Sequence, residues 1–400
     1  MKHGADLHLD FSSFSINTLL NSLLLTGSEV KYSVICWKLP RESTINVWIS
    51  RQSLPGSLGT ISEKPIPGFV FYPFEINKEN PSYFFPIHWE FDLSNKRLKT
   101  LTAEADKTQQ LLEIFQEKIH HSNIGNLKLM NTHTIPDRDS NKDSFIKIVE
   151  KGIQAINRNE VSKVVLARTK TIGFNKAVDF ARVYKNLCLQ NLNAFVTMVA
   201  IPNNGIWIGA SPELLLEKYI KGSARSIALA GTRKKTATKS SWGEKELNEQ
   251  LMVSTFIETV LAKSEIYEYK KNGPQTSIAG EMEHIQTEFI FNIGNNKVLN
   301  FNKIAQELHH SPAICGDQRQ AALDFILANE SFNRDYFCGY LGPINTANYS
   351  KLFINIRCIQ FWQNTGVLYA GAGITGDSVP EDEWQETNLK CDTILKALNL

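Results

Sequence analysis

The chain lacks three things whose absence narrows what it can be: paired cysteines, long apolar runs and a surplus of one charge. Its six cysteines, Cys36, Cys188, Cys315, Cys338, Cys358 and Cys391, are scattered over 400 residues with no C-x-x-C pair. That scatter argues against a zinc site or a disulfide framework and suits buried free thiols in a reducing compartment. No stretch approaches the roughly 18 unbroken apolar residues of a membrane span, so no membrane partner is expected. The opening MKHGADLHLD carries acidic residues where a secretory signal has its apolar centre, and the expected location is the cytoplasm. Lysine and arginine number 43 against 41 acidic residues, which leaves no basic stripe for a phosphate backbone. Nucleic acid is therefore not an expected partner. No coiled coil or added partner domain is evident, and a monomer is expected.

Apolar residues are abundant at 42%, enough for a large buried core. Residues 1 to about 135 read as short strands and turns with a few helices. SINTLLNSLLL (15–25) and AEADKTQQLLEIFQEKIHHS (103–122) have helical spacing, and YSVICWKL (32–39) and INVWIS (45–50) read as strands. RQSLPGSLGTISEKPIPG (51–68) reads as loop. The polar stretch around NTHTIPDRDSNKDS (131–144) separates this variable front part from the rest. Beyond residue 160, KVVLART, AFVTMVA, GIWIGAS and KLFINIRCIQF are β-rich, and Asn203-Asn204-Gly205 marks a hairpin turn. The strongest helices are expected over Glu244–Lys263 and Pro380–Leu398. Strands outnumber helices and favour antiparallel pairing, so the class is α+β.

Several residue types stand where chemistry could use them. Glu246 and Glu249 are spaced i, i+3 on one helix face, and Glu383 and Glu386 repeat that spacing with Lys390 one turn on. A solvated face accounts for either pair taken alone; convergence of both on one hard cation is the other reading, since magnesium takes oxygen ligands from one or two carboxylates plus water and substrate. Strand alternation puts Lys163 on the face of Val165 and Ala167, opposite Val164, Leu166 and Arg168. An exposed strand start is the plain reading of that lysine. If the face is buried, desolvation lowers its pKa and makes it a usable base. Glu213, after a strand and a Ser-Pro turn, is a cap, a surface charge or an acid. The glycine-rich ALAGTRKK (228–235) and YAGAGITGDS (369–378) read as loops whose backbone N–H groups could approach an anion, though structural turns explain most such runs. Arg357 lies mid-strand among apolar residues and needs an acidic partner or an anionic ligand. His284 reads equally as a core histidine or a substrate contact.

Taken in order, KVVLART, GASPELLLE, LAGTRKK, EKELNEQLMV, EHIQT, HHSPAICG, LFINIRCIQF and YAGAGITGDSVPEDEWQETNLK resemble the chorismate-utilising enzymes. That family includes isochorismate synthase, salicylate synthase, anthranilate synthase component I and aminodeoxychorismate synthase. The matching segments span about residues 145 to 398; the first 135 residues match weakly. The resemblance implies one α+β domain over residues 1–400, with large antiparallel sheets packed as a sandwich and helices outside, as in anthranilate synthase component I. It implies chorismate as substrate and Mg2+ as cofactor, with Glu249 and Glu386 as direct ligands and Glu246 and Glu383 as surrounding or alternative ones. Arg357 and Lys390, with backbone donors around Gly371, Ala372 and Gly373, would receive substrate carboxylates. Thr232 and His284 would line the ring, with Ala313 and Ile314 on the pocket wall.

Lys163 divides the family. Members that add ammonia carry a non-basic residue there, often glutamine; members that add water carry lysine. The resemblance thus makes Lys163 the base that activates water for attack at C2, and Glu213 the acid that protonates the departing C4 hydroxyl. The aminodeoxychorismate branch has a nucleophilic lysine where this chain has Ala313-Ile314, which disfavours it. The expected activity is isochorismate synthase, an isomerase, serving menaquinone or siderophore synthesis. Salicylate synthase, which goes on to eliminate pyruvate, is the alternative, and a non-catalytic ligand-binding member is the rival from another class. The sequence departs from the family pattern at Ala228, Gln250, His310-Ser311 and Phe337. For the hydroxyl lost at Phe337, Tyr336 or Tyr340 is the expected substitute.

Overall fold

Strands that are apolar on both faces must be covered on both sides, and the chain meets that demand with two antiparallel sheets. The structure, a computed structural model, describes residues 6–7, 11–51, 54–55, 66–101, 104–120, 140–202, 204–234, 241–279, 282–293 and 301–400. Among these residues one sheet has eleven strands and the other nine. Both draw on the front and the back of the chain. Ser33–Lys38, Asn46–Ser50 and Trp89–Asp92 join the larger sheet; Gly68–Tyr72 and Tyr83–Pro86 join the smaller.

The period-two rule assigns the faces. In Ser33–Lys38, Ile35 and Trp37 point into the core between the sheets, while Val34 and Cys36 point to the helical layer. Phe195 of the larger sheet stacks on Phe353 of the smaller, with centroids 4.2 Å apart and planes 12° apart. Phe71 and Trp207, one from each sheet, both pack on the buried Tyr336. Helices Ile16–Val30, Ala105–His120, Phe180–Gln190 and Pro380–Leu398 cover the outer face of the larger sheet. The expected α+β sandwich with helices outside is what forms. Among the described residues, no helix is long and apolar enough to cross a membrane.

The helices expected over Glu244–Lys263 and Pro380–Leu398 have those bounds, and Phe195–Ile201 pairs with Gly205–Ser211 as the expected hairpin. Two expectations are corrected. KLFINIRCIQF is not one strand: Tyr349–Ile354 belongs to the smaller sheet and Cys358–Trp362 to the larger, with a crossing between them. The glycine-rich runs are not loops either. ALAGTRK lies inside Ser223–Lys234, with a bulge between Ala230 and Thr232, and Gly371 and Gly373 lie inside Thr365–Ile374. Parts of the expected loop 51–68 and of the polar stretch 131–144 lie outside the described residues.

The Phe195–Phe353 stack joins the sheets across their shared core. Phe353→Ala is expected to lower stability by about 3–5 kcal/mol, read as a drop in the midpoint of chemical unfolding. A loss under about 1 kcal/mol would show that the sheets do not depend on this contact.

Candidate active site

The site begins where two chain segments cross between the sheets side by side. One leaves the larger sheet at Ser211, passes Pro212 and Glu213, and enters the smaller at Leu214. The other returns from Ile354 through Arg357 to Cys358. Backbone groups at such crossings have no ladder partner and must be satisfied otherwise. Here the two segments satisfy each other: Ile354 N–H donates to the Glu213 carbonyl at 3.0 Å, and Ala210 N–H to the Arg357 carbonyl at 3.1 Å. Arg357 turns with φ +52°, in the left-handed region that non-glycine residues seldom occupy. The preceding Asn355 holds that turn, its carbonyl accepting from Cys338 N–H and its amide donating to the Tyr336 carbonyl, both at 2.9 Å. A carboxyl and a guanidinium therefore reach one cavity of about 210 Å³ from adjacent crossings.

Lys163 heads the strand Lys163–Gly173. Val164 and Leu166 pack on Gly152 of helix Lys142–Asn157, and Lys163 and Val165 face the cavity. Gly373 pairs with Val165 on the neighbouring strand, and a Cβ there would lie 3.0 Å from the Lys163 Cε. The glycine leaves the corridor the lysine side chain occupies. Lys163 is 4% exposed. Among the described residues its ammonium has one ion-pair partner, Glu249, at 4.0 Å. Burial lowers its pKa; Glu249 pulls it back, and Lys390 pushes it down again. Glu213 is displaced the other way, raised to about 7 by burial, with Lys390 and Lys163 opposing the shift.

Two helices complete the wall. Glu246 and Glu249 come from Glu244–Lys263, and Glu386 and Lys390 from Pro380–Leu398. Lys390 Nζ donates to the Gly371 carbonyl at 2.6 Å and pairs with Glu386 at 2.6 Å. Burial pushes the Glu386 carboxyl up, but Lys390, Lys245 and Arg357 together more than offset it and the net shift is downward. Glu383, only 4% exposed, does not line the cavity. It accepts from the Ser378 hydroxyl at 2.7 Å and lies 3.6 Å from Lys245 Nζ, and burial raises its pKa. Among the described residues no three His, Cys, Asp or Glu side chains form a ready-made metal cage. Besides Glu213, three carboxylates, those of Glu246, Glu249 and Glu386, nonetheless line one cavity, and an oxygen-only set of this kind fits a hard divalent cation held by one or two carboxylates and its substrate.

The remaining expected residues fall as follows. His284, Ala313, Ile314, Arg357, Gly371 and Gly373 line the same cavity. Burial lowers the His284 pKa, and its Nδ1 lies 3.1 Å from the Gly231 carbonyl. Among the described residues Arg357 has no ion-pair partner; it donates only to the Lys390 carbonyl, at 3.5 Å. Ala372 does not line the cavity; its side chain belongs to the core on the other face of its strand. Thr232 pairs with His284 in the ladder, and its side chain lies outside the described residues. Gln250 donates to Thr287 and Ser254 rather than reaching the cavity. Neither Tyr336 nor Tyr340 replaces the hydroxyl missing at Phe337. Tyr336 donates to the Pro81 carbonyl, Tyr340 stacks on Tyr72, and neither lines the cavity. The tyrosine that does is Tyr369, with its hydroxyl bound to Asp335 at 3.0 Å. Sequence reading missed Tyr369 and Lys245. Lys245 adjoins Glu246, and that adjacency was the one available signal.

Comparison with known proteins places this geometry. A family model described as chorismate binding enzyme matches residues 72–399, well forward of the segments whose motifs are visible by eye. Isochorismate synthase EntC of Escherichia coli K12 is 28% identical over 282 residues, 68% of this chain and 71% of that protein. The menaquinone-specific isochorismate synthase MenF from E. coli superposes with a TM-score of 0.76 at 21% identity, covering 98% of this chain and 94% of that one. Anthranilate synthase component I from Streptococcus pneumoniae gives a TM-score of 0.63 at 18% identity, covering 91% and 89%. The chain belongs to the chorismate-binding enzyme family.

Proposed function

We propose that the chain is an isochorismate synthase, an isomerase that adds water at C2 of chorismate and expels the C4 hydroxyl. The observation that carries this reading is the pairing of Lys163 with Glu213. They line one cavity, and burial shifts each toward the protonation state its role requires. Relatives named isochorismate synthase support it from outside the site.

Neutral Lys163 Nζ takes a proton from water as the oxygen bonds to C2. Both ring double bonds shift in turn, from C1=C2 to C1=C6 and from C5=C6 to C4=C5, the C4–O bond breaks, and Glu213 gives its proton to the departing oxygen, which leaves as water. Water is a poor nucleophile and hydroxide a poor leaving group, so each step gains from a placed partner. Arg357, which lines the cavity and has no ion-pair partner among the described residues, and Lys390 are placed to receive the substrate carboxylates. Glu249 and Glu386, with Glu246 beside them, would hold magnesium, which when bound supplies positive charge for a ring carboxylate; Glu383, turned to Ser378 and Lys245 off the cavity lining, stands outside that set.

Incubation with chorismate and magnesium, followed by chromatography, tests the reading. Isochorismate is expected, and salicylate with pyruvate, or anthranilate in the presence of ammonium, would overturn it. EDTA is expected to abolish turnover and added magnesium to restore it. Lys163→Ala should lower kcat roughly 100- to 10,000-fold while substrate still binds in equilibrium titration; near-normal turnover would remove the lysine from its role. The pH profile follows from the signs. Raising pH through about 7 strips the proton from Glu213, and lowering it protonates Lys163, so kcat/KM should be bell-shaped. A profile flat between about pH 6 and 9 would contradict both assignments.

A further inference from the structure

The strand carrying Lys163 is gripped unequally on its two sides. Thr365–Ile374 pairs with it from Val164 to Gly173. On the other side the ladder is two residues long, with Gly316 opposite Val164 and Asp317 opposite Lys163. A bare edge past that point would leave buried backbone groups unsatisfied. Side chains fill the gap instead. Val165 N–H donates to the Cys315 carbonyl at 2.7 Å, the Val165 carbonyl accepts from Arg334 Nη2 at 2.6 Å, and Ala167 N–H donates to Glu330 Oε1 at 2.7 Å. Arg334 and Glu330 are bonded to each other twice, at 2.8 and 2.6 Å, and both side chains are 2% exposed. The third arm of the same guanidinium, Nη1, donates to the Ile314 carbonyl at 2.9 Å.

One guanidinium therefore holds two residues of the cavity wall, Val165 beside Lys163 and Ile314 on the facing segment. Two buried charges are a poor way to gain stability, since their desolvation offsets much of their attraction and apolar replacements of similar volume are often neutral. Their value lies in direction: a bidentate fork fixes backbone that a greasy contact would let slide.

We propose that Glu330 and Arg334 are positioning residues for the reaction, acting as a surrogate strand that sets Lys163 against the substrate held by the Ile314 wall. The proposal rests on the reading of Lys163 as the base, and its test separates the two. In the double variant Glu330→Leu/Arg334→Met, which leaves the Val165 and Ile314 carbonyls and the Ala167 N–H without these partners, the unfolding midpoint should fall while the protein still folds. Its kcat on chorismate should fall roughly 10- to 100-fold with KM within about twofold, as expected for a base displaced by a fraction of an ångström. A folded double variant with kcat within about twofold of wild type would overturn the proposal. If the double variant does not fold, Arg334→Lys decides. Lysine keeps the charge but cannot serve both carbonyls, so a loss in kcat at constant KM supports the clamp and an unchanged kcat overturns it. Hydrogen exchange over residues 163–169, measured by mass spectrometry without substrate, stands independently of the reaction. It should speed up at least about tenfold in whichever variant folds. Unchanged protection rejects the clamp even if the wild-type protein forms no isochorismate, and that latter result alone rejects only the reading of the base.

Discussion

The paired crossing of two segments between the sheets is the constraint on which the cavity depends. Each crossing alone would strand backbone polar groups in the interior, and each supplies what the other lacks. Once the pair is formed, Glu213 and Arg357 have nowhere to go but the cavity. The strand from Lys163 and the helices from Glu244 and Pro380 then close around that fixed seam. The arrangement fixes the Glu213 backbone at the seam, so that its carboxyl enters the cavity within the field of Lys163 and Lys390.

Charge in the cavity is balanced closely. Lys163, Lys245, Arg357 and Lys390 face Glu213, Glu246, Glu249 and Glu386, four cations against four carboxyls. The ammonium groups of Lys163 and Lys390 are each shared with a glutamate, at 4.0 and 2.6 Å. A dianionic ligand entering such a site would tip it negative, and the divalent cation proposed at Glu249 and Glu386 is the charge that would restore balance. Burial does the rest by driving Lys163 and Glu213 in opposite directions.

Much of this was legible in the sequence because it is local. Helix bounds at Glu244–Lys263 and Pro380–Leu398 follow from periodicity and from Pro380 in the first turn. The face carrying Lys163 and Val165 follows from alternation. What was not legible is non-local. Nothing in the run KLFINIRCIQF interrupts its β propensity, so its change of sheet at Arg357 leaves no trace in residue type. The glycines read as loops are strand residues whose smallness answers to side chains on other elements, Gly373 to Lys163 of the adjacent strand and Gly231 to Glu246 of the helix beside it. Ala372 shares its strand with Gly371 and Gly373, yet alternation turns its side chain to the opposite face. The Glu330–Arg334 clamp hides for the same reason, since its partners lie at Val165, Ala167 and Ile314.

The six cysteines, read from the sequence as buried free thiols, divide evenly between the two interiors. Cys315, Cys338 and Cys358 lie in the layer between the sheets, and Cys36, Cys188 and Cys391 under the helices. Burial pushes all six thiols up, so none is a ready thiolate while its layer stays closed. The protein thus carries three native reporters in each layer. The order in which an alkylating reagent reaches them during unfolding is a direct record of whether the sandwich or its helical cover opens first.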